Sequence, residues 1–97
     1  MTKDELKEDL MKRAHIAIRD KNRTISPSAE AELRELISSG VDRMFDEDKH
    51  DNKSIELARL NANQFINEMC KKYRGRVIDR STFSIARLSI CPKWPFC

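Results

Sequence analysis

The chain has 97 residues, 39% of them hydrophobic, 6% aromatic and 36% charged, with a formal net charge of +3. A chain this short buries only about 60–65% of the surface its unfolded form exposes, so it holds one modest core at most. Two glycines and three prolines argue against a turn-rich β protein, and the composition fits a helical layer packed on itself, or a dimer sharing its core, better than a sheet-based enzyme.

Thr2 with Glu5 forms a Thr-x-x-Glu capping box, a start signal for a helix. Leu6, Leu10, Ala14, Ala17 and Ile18 follow at helical spacing and give one apolar stripe on a charged rod, so the first helix is predicted over residues 3–20. It ends in the polar stretch "RDKNRT". Ser26 then serves as N-cap with Pro27 at the first helical position, where the missing N–H costs nothing. Leu33, Leu36, Ile37, Val41, Met44 and Phe45 form the cleanest amphipathic stripe in the chain, which predicts a second helix over 27–46. Gly40 lies along that face.

The polar run "DEDKHDNKS" connects to a third helix, predicted over 53–73, whose face reads Ala58, Ala62, Phe65, Ile66, Met69, Cys70 and Tyr73. Gly75 is a natural residue to end it, and Lys71, Lys72 and Arg74 occupy a last turn where the helix dipole favours cations. Short connections between three helices suggest an antiparallel bundle or an extended helical hairpin. The expected fold is therefore all-α: a small three-helix bundle or hairpin over residues 1–75, with an irregular C-terminal tail over 76–97. Within that tail, "RVIDRSTFSIARLSI" reads either as a short strand or as a last helix from Ser81 with Phe83, Ala86, Leu88 and Ile90 inside. Pro92 and Pro95 forbid regular helix to the end. No internal sequence repeat is visible.

The charge is unevenly placed. Residues 1–70 sum to −3, the decade "KKYRGRVIDR" at 71–80 to +4, and the last seventeen residues to +2. The charged N-terminus resembles neither a signal peptide nor a membrane span, which needs about 18 apolar residues. A cytoplasmic location is expected, with Cys70, Cys91 and Cys97 as reduced thiols. An odd cysteine count excludes full disulfide pairing within one chain.

Chemistry-bearing patterns are few. His15 and His50 lie far in sequence from any cysteine, and no nucleophile elbow surrounds a serine, so no catalytic residue, and no enzyme, is expected. Cys91 and Cys97 lack the paired spacing of structural zinc, and the acidic linker lacks the order of a calcium loop. Neither metal nor cofactor is called for. Lys71, Lys72, Arg74, Arg76 and Arg80 are candidate contacts for an anion or for nucleic-acid phosphates, although the one tyrosine among them is not a stacking platform.

The tail holds Ser81, Thr82, Ser84 and Ser89 ahead of Cys91, followed by Trp94 and Cys97. One reading packs Phe83, Leu88 and Trp94 into the helical core; another closes a Cys91–Cys97 ring in oxidising surroundings. A charged helical part followed by a Ser/Thr/Cys segment also resembles a ribosomally synthesised and post-translationally modified peptide precursor. That resemblance implies a helical leader that docks on a modifying enzyme. Dehydrated Ser81, Thr82, Ser84 or Ser89 would then take up the Cys91 thiolate as thioethers, or Cys91 and Cys97 would be converted oxidatively with their neighbours. The alternative is a small helical module, dimeric or not, that binds protein or nucleic acid with its tail packed as core.

Overall fold

The computed structural model describes residues 2–46, 52–73 and 75–90, without the side chains of 44–46. Helix α1 spans Lys3–Asp20. Its capping box is formed, with the Glu5 amide donating to Thr2 Oγ1 at 3.2 Å and the Thr2 amide donating to Glu5 Oε2 at 3.4 Å. The far end closes through Asn22, whose φ of 57° is the left-handed turn that asparagine tolerates. There the Arg23 amide reaches back to the Ile18 carbonyl at 3.1 Å and the Asn22 amide to the Arg19 carbonyl at 2.9 Å, which satisfies carbonyls the helix would otherwise leave open.

Strand β1 is the pair Thr24–Ile25 and leads directly into α2, Pro27–Asp46. The Ala29 amide donates to the Ser26 hydroxyl at 3.2 Å, so Ser26 caps α2 as its sequence position predicts. Helix α3 covers Asn52–Lys72. Strand β2, Val77–Ile78, pairs in parallel with β1, Thr24 beside Val77 and Ile25 beside Ile78. The Thr24 amide donates to the Arg76 carbonyl at 2.8 Å and the Ser26 amide to the Ile78 carbonyl at 2.9 Å.

The segment after Gly75 is where expectation and structure part. Over residues 76–90 it is not irregular: β2 is followed by α4, Arg80–Ile90, the helical one of the two readings the sequence left open. The cap is Asp79, two residues before Ser81, where the helical reading placed the start, and its Oδ1 accepts the Thr82 amide at 2.8 Å. Phe83, Ala86 and Ile90 are buried, whereas Leu88, expected inside, is 84% exposed. The reason is helical phase. A stripe through 83, 86 and 90 turns 88 to the opposite side.

Helix α1 packs on α2 and α3, and α4 packs on the same two helices. α1 and α2 run antiparallel, with Lys3 and Lys7 on Asp42 at 3.2 and 3.1 Å, and His15 facing Glu30 at 3.6 Å. α1 and α3 run parallel: Asp9 meets Arg59, and Arg23 meets the carbonyl of Tyr73, each fifty residues further on. The shared core is built from Leu6, Leu10, Leu33, Ile37, Phe65, Ile66, Met69, Ile78 and Phe83, with no buried polar or charged side chain among the described residues. Burying Phe83 and Ile90 favours the fold by about 1.5–3 kcal/mol each, so α4 completes the core rather than decorating it. The chain thus folds as two helix–strand–helix units, α1–β1–α2 and α3–β2–α4, joined through their connections, an arrangement for which the sequence carries no repeat.

Candidate nucleic-acid interface at the basic end

The parallel ladder has a consequence for charge. Because β1 follows α1 and β2 follows α3, both helices end on the same side of the molecule, together with the start of α2. Lys71 and Lys72 are exposed in the last turn of α3, and Arg76 is exposed just before β2. From the last turn of α1 comes Arg19, and from the turn after it Lys21 and Arg23, none of which sequence reasoning included; their proximity depends on pairing across fifty residues, which no local signal reveals. Asp20, Asp79 and Glu30, in the first turn of α2, are acids of this end, and Glu30 faces His15 and Arg34, each at 3.6 Å. The Asp79 carboxyl is already engaged as a cap, and the Thr82 amide holds its pKa below the ordinary value.

Arg23 fixes the arrangement. Its Nη1 donates to the Tyr73 carbonyl at 2.8 Å and also to the Gly75 carbonyl, so a cation from the first unit closes the end of α3. Gly75 takes a φ of 151°, a conformation that side chains disfavour. Beneath lies Cys70, buried, its thiol pKa raised by burial against the opposing pull of Arg23 and Lys21. Such a thiol is inert rather than nucleophilic.

Arg80 leaves the cluster. Its Nε donates to Glu32 Oε2 at 3.2 Å across the α2–α4 contact. The Ser84 hydroxyl donates to Glu32 Oε1 at 3.3 Å, and Arg87 Nη1 lies 3.7 Å from the same oxygen. The Glu32 side chain is only 16% exposed, so three groups of α4 converge on one carboxylate of α2. A groove of about 580 Å³ runs beside it, lined in part by Ser28, Glu35, Ser39 and Arg43. Of the remaining basic candidates, Arg74 lies outside the described residues.

The serine and threonine candidates all fall on α4. Ser81 is exposed and Thr82 half-buried, Ser84 donates to Glu32, and Ser89 accepts a hydrogen bond from the Tyr73 hydroxyl at 2.7 Å. Cys91, Trp94 and Cys97 lie outside the described residues, as does His50. Among the described residues no helix is long and apolar enough to cross a membrane, and no group of three His, Cys, Asp or Glu side chains is placed to hold a metal ion. No family model matches the chain, and neither does any curated protein or solved structure.

Proposed function

We propose that this protein is a small helical binding module, not an enzyme, which holds the phosphate backbone of a nucleic acid at its basic end while α4 serves as part of the core. The observation that carries the reading is the β1–β2 ladder, which gathers Lys21 and Arg23 of the first unit beside Lys71, Lys72 and Arg76 of the second. Cations collected from two distant segments onto one end form a footprint suited to successive phosphates. At a lone helix terminus, Lys71 and Lys72 would do no more than complement the dipole. The peptide-precursor reading asks Ser81, Thr82, Ser84 and Ser89 to be presented to an enzyme in an extended chain. Their place on α4, whose inner face holds Phe83, Ala86 and Ile90 in the core, weighs for the binding module instead. The module acts in the cytoplasm on this reading, with Cys70 kept as a thiol.

The test is a fluorescence-anisotropy titration of labelled DNA with the full chain and with Lys71→Gln/Lys72→Gln. Each phosphate contact removed lowers the slope of log affinity against log salt by about 1, so the double variant loses about two units of slope along with affinity. Equal binding by both proteins at every salt concentration would sink the proposal.

A further inference from the structure

Resting on that reading, we infer that the basic end takes double-stranded rather than single-stranded nucleic acid, and takes it without sequence preference. Single strands are held by two devices together, a cationic track for the backbone and aromatic faces on which the bases stack. The first is present here; the second is missing among the described residues. Among the described residues Tyr73 is the one aromatic residue of this end, and it is spent on the fold. Its ring packs against the core, and its hydroxyl donates to Ser89 Oγ at 2.7 Å, with the Ile85 carbonyl at 3.4 Å. Phe65 and Phe83 are fully buried. Among the described residues, an unstacked base arriving at Lys71 and Arg76 meets charge and main chain, with no ring to lie on.

Sequence readout is equally poorly provided for. Reading bases in a major groove requires a helix or ribbon that enters it and presents a row of side chains to the base edges. The last turn of α3 presents Lys71 and Lys72, and the capped starts of α2 and α4 are turned into the ladder through Ser26 and Asp79. β1 and β2 have two residues each, too short to lie along a groove. What remains is a set of cations whose main-chain positions are fixed relative to one another by the Arg23 cap and the ladder. Fixed spacing favours a partner whose phosphates are themselves fixed, and a duplex meets that condition where a single strand does not. Positioning without base contacts is the phosphate-only mode of recognition.

The deciding experiment titrates the full chain, at one salt concentration, against a labelled 20-base-pair DNA duplex, each of its separated strands, and a second duplex of unrelated sequence. Because a stacked base ordinarily contributes about tenfold or more in affinity, the expected result is duplex binding at least about tenfold tighter than either strand, with the two duplexes within about threefold of each other. Strands bound as tightly as duplex, or one duplex strongly preferred, overturn the inference while leaving phosphate binding at the basic end intact. If neither duplex nor strand binds at low salt, phosphate binding at this end fails as well, and the two failures are told apart in a single data set.

Discussion

Phe83 of α4 stands edge-on to Phe65 of α3, the ring centroids 5.8 Å apart and the planes at 65°. Both rings are fully buried, and the geometry brings the positive edge of one ring to the negative face of the other, a contact worth about 0.5–1.5 kcal/mol beyond the area it buries. It ties α4 to α3 inside the second helix–strand–helix unit.

The first prediction follows from that contact. Phe83→Ala removes the ring and leaves a cavity, which costs about 3–5 kcal/mol, a large share of the stability of a domain this small. Leu88→Ala, on the opposite side of the same helix, changes stability by no more than about 0.5 kcal/mol. Urea unfolding of the two variants checks both values. Equal, small effects would mean that α4 is not core.

Arg23 gives a second prediction. Removing the guanidinium in Arg23→Ala leaves the Tyr73 and Gly75 carbonyls without their charged donor and costs about 1–2 kcal/mol, since the site is half-buried. The loss is local first: amide exchange at Thr24 and Ser26, whose N–H groups bridge to Arg76 and Ile78, accelerates more than exchange in the middle of α1. Arg23→Lys restores the charge but not the geometry of the fork, and so recovers only part of the protection.

A third prediction concerns acid. Burial raises the Asp9 pKa, but hydrogen bonds from Arg59 and Arg13 outweigh it and hold the carboxyl below its ordinary value of 3.8. Asp42 is lowered by Lys7 and Lys3, and Asp79 by the Thr82 amide. In each case the folded state binds protons less readily than the unfolded state, so the stability these groups contribute is present well above 3.8 and is lost as pH falls through the lowered folded-state values. Urea midpoints are expected to stay level from pH 7 to about pH 5 and to fall below about pH 4. Asp9→Asn flattens part of that drop.

Helices α1, α2 and α3 were legible in the sequence because each carries an apolar stripe long enough to fix its phase; α4, with eleven residues, was left open against a strand. Thr2, Ser26 and Pro27 marked two starts for chemical reasons that hold in isolation. The ladder was not legible, since Thr24–Ile25 and Val77–Ile78 are too short to show a period of two. Asp79 was hidden as a cap by the serines that follow it, and Leu88 was placed inside because the alternating apolar residues 86, 88 and 90 suit a strand as well as a helix, whose phase turns 88 outward. At the candidate site, Lys71, Lys72 and Arg76 were visible as a local cluster. Lys21 and Arg23 were not, because only the parallel pairing of two segments fifty residues apart makes them neighbours. Arg80 belonged to the cluster by sequence and left it in space, drawn across to Glu32.

The central claim is that nucleic acid meets the protein at the end defined by the ladder. The most direct measurement is a titration of isotopically labelled full-length protein with a short DNA duplex, followed by amide chemical shifts. The account predicts progressive shifts at Lys21, Thr24, Lys71, Lys72, Arg76 and Val77, reversed by added salt, with the amides in the first half of α1 unmoved. Shifts confined to the α2–α4 groove around Glu35 and Ser39, or no shifts at low salt, would contradict it.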